Sequence, residues 1–153
     1  MKRESNGRRK TSTAWIGNLP LGSRFPIRVQ SMNNTDTLDS EASARQAQQI
    51  AEAGGEIVRF TAQGVTQAQN LTNIRTLLNQ EGCLIPMVAD IHFNPEAAFE
   101  AAQRVEKVRI NPGNFIDPRA HFKKVEYSDS EYAEELKRLE NRFIKLLDIC
   151  REH

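Results

Sequence analysis

Cysteine is scarce in this chain, which has only two among 153 residues, Cys83 and Cys150. They lie far apart and form no Cys-x-x-Cys pair, which fits a protein of a reducing compartment. Neither residue alone indicates a zinc or iron–sulfur site. We predict that both are buried and act as small apolar side chains.

Glycine and proline are also few, at 8 and 6, while 39% of the residues are hydrophobic and 27% are charged. This balance excludes collagen-like, low-complexity and disordered chains and leaves a globular protein. The sequence has no stretch near the roughly 18 consecutive apolar residues that a membrane span requires. The basic start is not followed by a hydrophobic signal segment. We therefore expect a cytoplasmic protein with no membrane partner.

Positive charge is concentrated at the start of the chain. The whole sequence carries a formal charge of +1, whereas residues 1–10 alone carry +4, from five basic residues and one acidic residue. Because no basic stripe crosses the remainder, nucleic acid is not an expected partner. We predict a disordered basic tail over residues 1–10.

The remainder has a repeating pattern in which a short apolar, β-branched run precedes an amphipathic helical stretch. The runs are Ile27–Gln30, Ile57–Phe60, Leu84–Ala89 and Val108–Ile110, and their starts lie 30, 27 and 24 residues apart. This spacing accommodates one strand, one helix and two loops, so it predicts four consecutive βα units with a parallel sheet, an α/β fold.

Local signals mark the predicted helices. Asp39 precedes the first helix and Gly54 ends it, while Asn94 and Pro95 form a typical helix start. A short hairpin or lid is predicted over residues 11–25.

A longer helix is predicted near the end of the sequence. Ser128 and Glu131 have capping-box spacing, and an apolar stripe follows them. We interpret this segment as a helix docked on the surface, with pairing to a partner chain as the alternative. The stripe comprises Tyr132, Leu136, Leu139, Phe143, Leu146 and Cys150.

Alternation of side chains divides each predicted strand into an apolar face and a second face that becomes polar toward its carboxyl end. In the first run, Ile27 and Val29 belong to the apolar face that helices are expected to cover. Parallel α/β proteins bind ligands at the carboxyl ends of their strands. The candidate site residues at these ends are Arg59, Asp90, His92, Arg109 and Asn111.

Two arginines in such a pocket suit a phosphate or carboxylate ligand through paired hydrogen bonds. The structural alternative is that Asp90 only neutralises Arg59 or Arg109, and that His92 is a hydrogen-bonded structural histidine. The loops at 31–36 and 111–114 are equally compatible with caps and turns, so the sequence leaves open whether Ser31, Asn33 and Asn34 contact a ligand.

Five strings resemble the amino-terminal part of the 4-hydroxy-3-methylbut-2-enyl diphosphate synthase family. They are IGNLPLG (16–22), PIRVQSMNNTDT (26–37), AEAGGEIVRF (51–60), VADIHF (88–93) and VRINPGN (108–114), in the family's order and spacing. The resemblance implies the first four βα units of a (β/α)8 TIM barrel. The implied divisions are the hairpin at 11–25, the half barrel at 26–118 and a helical extension at 119–153.

The resemblance also implies an activity. Family members reductively open 2-C-methyl-D-erythritol 2,4-cyclodiphosphate to give an allylic diphosphate in the non-mevalonate isoprenoid pathway, with flavodoxin or ferredoxin as electron donor. They use a [4Fe-4S] cluster held in a separate domain. Cys83 and Cys150 match no cluster-ligand motif, so the expectation is that this chain lacks the cluster domain, binds no cluster and is inactive alone.

The resemblance further implies that Arg109 binds the diphosphate, with Arg59 nearby at the substrate. It also implies that Asp90 and Asn111 face the hydroxylated carbon skeleton, and that His92 belongs to the same group. It leaves the catalytic residues unassigned, and it implies a homodimer. Two alternatives stay open: a pterin-binding barrel of the dihydropteroate synthase type, and a non-catalytic fragment whose exposed sheet edges make it self-associate.

Overall fold

The computed structural model describes residues 9–116 and 126–153. Residues 1–8 of the predicted basic tail lie outside this range, as do residues 119–125 of the predicted helical extension. Within the described ranges, no helix is long and apolar enough to cross a membrane.

The first element is an antiparallel hairpin of strands β1 (Ala14–Ile16) and β2 (Leu19–Leu21). Gly17 forms the turn with φ 55°, a left-handed conformation that glycine adopts without steric cost. Ile16 packs against Ile57 and Val88, which lie at the amino ends of their strands. The hairpin therefore covers the end of the sheet opposite to the candidate site and is no lid over that site.

A four-stranded parallel sheet follows, in the order β3 (Gln30–Met32), β4 (Ile57–Ala62), β5 (Met87–Ile91) and β6 (Lys107–Arg109). Each strand pairs with the next one along the chain, as expected for consecutive βα units. The register places Met32 beside Arg59, and it places Asp90 between Thr61 and Arg109.

Three helices connect the strands: α1 (Ser40–Glu52), α2 (Val65–Gln80) and α3 (Pro95–Ala102). Asp39 caps α1 by accepting from the Ala42 N–H, and Asn94 caps α3 by accepting from the Ala97 N–H, both as the sequence predicts. The helices cover one face of the sheet and form the main core with alternate strand residues. These strand residues are Val58, Phe60, Ala62, Met87, Ala89 and Ile91.

The first apolar run departs from the prediction. Ile27 is 82% exposed and Val29 is 56% exposed, and the strand begins only at Gln30. The reason lies in the position of β3 at the edge of the sheet, where none of the described helices covers these two side chains. The expectation of an apolar face beneath covering helices is therefore wrong for this strand.

The last helix, α4 (Asp129–Glu152), begins with the capping box formed by Ser128 and Glu131. It packs against α3 through a narrow strip centred on the buried Leu146, with Lys145 lying 4.3 Å above the Phe99 ring. The rest of the predicted stripe is less buried than expected: Leu139 packs partly on the core, while three residues are largely exposed. These exposed residues are Tyr132, Leu136 and Phe143.

The two cysteines differ from each other in burial. Cys83 is partly buried against the core, but Cys150 is exposed. The prediction of burial is thus wrong for Cys150, because in the last turn of α4 it is Ile149 that packs on the core, while its neighbour Cys150 faces solvent.

Candidate functional site

The candidate site is centred on one buried carboxylate, that of Asp90. Its Oδ1 accepts a hydrogen bond of 2.9 Å from Arg109 Nη1 and lies 3.4 Å from His92 Nε2. Its Oδ2 lies 3.4 Å from Arg59 Nε. Two guanidinium groups and one imidazole therefore converge on a single carboxylate, which brings together four of the five residues predicted from the sequence.

Strand register explains this convergence. Arg59 on β4 and Arg109 on β6 flank β5, which carries Asp90. Since alternate residues point to opposite faces, the helix-facing Val58 and Phe60 place Arg59 on the other face of the sheet. We call that face, opposite the helices, the inner face. Its carboxyl end holds the cluster.

Burial separates the carboxylate from its partners. The Asp90 side chain is 4% exposed, whereas those of Arg59, His92 and Arg109 are 31%, 39% and 41% exposed. The carboxylate thus lies beneath the two guanidinium groups and the imidazole, which are partly exposed to solvent. Because one carboxylate neutralises only one guanidinium, a positive charge remains available to an anion, which arginine binds through paired hydrogen bonds.

The structural alternative accounts for part of this arrangement. Asp90 does neutralise an arginine within a buried network, as that alternative requires. It does not account for the second guanidinium, nor for Arg59 Nε, a buried atom without a hydrogen-bond partner. Buried polar atoms are normally paired, so this unpaired donor calls for an explanation, and a bound anion would supply one. The surplus of donors is the feature that favours ligand binding.

Asn111 has a different position from the other predicted residues. It follows β6, and its side-chain oxygen accepts a 3.1 Å hydrogen bond from the Gly113 N–H. This contact caps the short 3-10 helix Pro112–Asn114. In the structure Asn111 therefore shapes the loop, and it is not among the side chains that contact Asp90; a role in substrate binding stays a prediction.

The loop after β3 is held by its own side chains. Asn33 is buried, donating to the Ser43 carbonyl at 2.9 Å and accepting from the Thr35 N–H at 3.0 Å. The Asn34 N–H donates to Gln46 on α1 at 2.8 Å. These contacts give both asparagines a structural part in the loop, while Ser31 is exposed.

Two further residues at the carboxyl end of the sheet were missed by sequence reasoning. The Met32 sulfur lies 3.1 Å from Arg59 Nη2, and Phe93, next to His92, has φ 57°. A bulky residue with positive φ is uncommon and marks local strain. A methionine between Ser31 and Asn33 gives no signal of such a contact, and phenylalanine gives none of a left-handed turn, so only the structure identifies them.

The described residues do not fit an iron–sulfur cluster. Across residues 9–116 and 126–153, no three histidine, cysteine or acidic side chains lie together as metal ligands. Although the Cys150 residue is exposed overall, desolvation raises the pKa of its thiol, which disfavours the thiolate that a metal requires. The cluster at Asp90 is suited to an anion through its arginines.

Parallel strands that alternate with helices and carry polar residues at their carboxyl ends define a domain of the α/β class, which includes barrels and open sheets. Comparison with known protein families identifies it further: residues 11–153 match the GcpE TIM-barrel domain. The chain belongs to this family, and the resemblance found in the sequence is thereby confirmed.

Individual relatives agree with the family match. The chain is 54% identical to 4-hydroxy-3-methylbut-2-en-1-yl diphosphate synthase (flavodoxin) of Bacteroides thetaiotaomicron, over 95% of this chain and 24% of the relative. It is 53% identical to the Akkermansia muciniphila protein of that name, over 95% of this chain and 25% of the relative.

A plant relative is more distant. The chain is 42% identical to the chloroplastic, ferredoxin-type synthase of Oryza sativa subsp. japonica, over 95% of this chain and 20% of the relative. The chain thus spans about a quarter or less of the length of each of these three relatives.

Proposed function

We propose that this chain forms the substrate-binding part of a 4-hydroxy-3-methylbut-2-enyl diphosphate synthase. Its four parallel strands would be the first four βα units of a (β/α)8 barrel, with the hairpin at 11–25 before them and α4 after them. The names of the relatives support this assignment. The observation that carries it is the surplus of cationic donors around Asp90 at the carboxyl ends of the strands.

The substrate in this proposal is 2-C-methyl-D-erythritol 2,4-cyclodiphosphate. Arg109 and Arg59 bind its diphosphate, because their guanidinium groups are half-exposed above the buried carboxylate. Asp90 holds both guanidinium groups in position and keeps them from repelling each other. His92, whose Nε2 lies 3.4 Å from the same carboxylate, donates a hydrogen bond to a substrate oxygen in this proposal. Asn111 borders the carbon skeleton of the substrate.

Reductive opening of this substrate requires two electrons, which the described residues do not supply. The proposal assigns them to a [4Fe-4S] cluster with ligands outside the described residues. Flavodoxin or ferredoxin is the proposed donor, in keeping with the names of the relatives. The part of the enzyme described here binds and orients the substrate, and we propose that it has no turnover by itself. The family match does not favour the pterin-binding alternative.

The proposal is tested by replacing Arg109. Arg109→Ala is expected to weaken binding of the cyclic diphosphate by about 2–4 kcal/mol, as for loss of one partner of a desolvated charge pair. Isothermal titration calorimetry on wild type and variant gives this value.

Arg75→Ala is the matched control, because Arg75 pairs with Glu106 at the other end of the sheet. Its affinity for the cyclic diphosphate should equal that of the wild type. Unchanged affinity in Arg109→Ala, or tighter binding of a pterin diphosphate than of the cyclic diphosphate, would contradict the proposal.

A further inference from the structure

The inner face places a methionine sulfur directly against the anion-binding cluster. Met32, the last residue of β3, pairs in register with Arg59, and its Sδ lies 3.1 Å from Arg59 Nη2. The thioether is a weak hydrogen-bond acceptor. Arg59 is thus held on one side by a strong charge partner, Asp90, and on the other by a weak neutral one.

Exposure distinguishes this methionine from the other described one. Met32 is 39% exposed, whereas Met87, on β5, is fully buried beneath the helices. We therefore expect a water-borne oxidant to reach Met32 far more readily than Met87, since susceptibility to oxidation follows accessibility.

We propose that Met32 is an oxidation site through which peroxide weakens anion binding at Arg59. In the reaction, hydrogen peroxide transfers one oxygen to Sδ, its O–O bond breaks, and the remaining atoms leave as water. The sulfur loses two electrons and becomes a sulfoxide, while the peroxide is reduced.

The product changes the contact with Arg59. A sulfoxide oxygen carries substantial negative charge and accepts hydrogen bonds from a guanidinium far better than a thioether does. Placed on the sulfur that already touches Nη2, it engages the donors of Arg59 that would otherwise bind an anion. Oxidised Met32 therefore competes with the ligand, and reduction of the sulfoxide restores the site. The effect on affinity rests on the proposed function, whereas the oxidation and its contact with Arg59 do not.

The test treats the protein with hydrogen peroxide and then with a thiol reductant, which reverses disulfide and sulfenic acid formation at Cys83 and Cys150 but leaves the methionine sulfoxide. Peptide mass spectrometry should find Met32 oxidised well before Met87. NMR of the arginine side-chain N–H groups, assigned with Arg59→Lys, should show a shifted Arg59 signal after oxidation. Binding of inorganic pyrophosphate should weaken about tenfold, the size expected when one charge-assisted hydrogen bond is diverted.

Two variants separate this effect from general damage. Met32→Leu should make pyrophosphate affinity independent of peroxide treatment, whereas Met87→Leu should remain as sensitive as the wild type. Equal oxidation of Met32 and Met87, or an Arg59 signal unchanged after Met32 oxidation, overturns the inference. Absence of pyrophosphate binding in the untreated protein overturns the proposed function instead, and the mass and NMR measurements still decide whether Met32 acts on Arg59.

Discussion

The two ends of the strands use the same residue types in different ratios. At the amino end, Arg75 donates to both carboxylate oxygens of Glu106 at 2.7 and 2.6 Å, and Arg28 pairs with Glu56 at 2.8 Å. Each of these two arginines has its own carboxylate. At the carboxyl end, Asp90 alone serves two arginines and a histidine.

The amino-end carboxylates also serve the backbone. Glu106 accepts from the Met87 N–H at 2.7 Å, and Glu56 accepts from the Val29 N–H at 3.0 Å. Arg28 additionally donates to the Pro20 carbonyl, which ties the hairpin to the sheet. These two ion pairs therefore hold elements together. The ratio of cations to carboxylates, rather than the presence of arginine, therefore distinguishes the two ends, and this difference is the basis of the proposed binding site.

The largest effect on stability is expected from Asp90→Ala, which leaves Arg59 and Arg109 on the inner face without their carboxylate. Breaking a buried pair in this way should lower the free energy of unfolding by about 3 kcal/mol. Urea denaturation followed by circular dichroism measures the loss.

Glu106→Ala is the corresponding change at the amino end. The two partners there are both partly exposed, at 18% and 30%, so the expected loss is only about 1 kcal/mol. Equal losses in the two variants would contradict the distinction between the two ends.

A smaller effect is expected in the apolar cluster beneath the hairpin. Ile57 is 3% exposed and packs with Ile16 and Val88. Ile57→Ala should cost about 2 kcal/mol of stability through lost burial and a cavity, and Ile57→Val about 1 kcal/mol. Because this cluster lies at the amino end, pyrophosphate affinity should stay that of the wild type in both variants. A change in that affinity would show that the two ends are coupled.

The smallest effect concerns pH. The hydrogen bond from the Val29 N–H, followed by that from Arg28, lowers the pKa of Glu56 from 4.5. A carboxyl with a lowered folded-state pKa contributes stability above its unfolded pKa and loses it as pH falls through the folded value.

Glu56→Gln should therefore be less stable than the wild type at pH 7, and the gap should close as pH falls below about 4.5. Denaturation curves across this range measure it. Glu52→Gln, at an exposed position of α1, should show no such dependence on pH. A gap that stays constant would contradict the assigned role of Glu56.

Local signals in the sequence predicted most of the elements. The caps at Asp39, Asn94 and Ser128 mark helix starts correctly because a cap depends on a side chain and backbone groups only a few residues away. Alternation within β4 and β5 likewise separates the helix-facing residues from Arg59 and Asp90. The prediction of burial failed at Val29 and along α4. Burial of these side chains depends on which element packs against them, and a local sequence pattern does not contain that information.

The sequence by itself determined that four strands alternate with helices and that Arg59, Asp90, His92 and Arg109 come to one end of the sheet. It did so because strand periodicity and helix caps act over short distances along the chain. The tertiary structure decided that one carboxylate serves two arginines and a histidine, that the hairpin covers the opposite end, and that Met32 touches Arg59. Those contacts join residues far apart in the chain, and only strand register and packing bring them together.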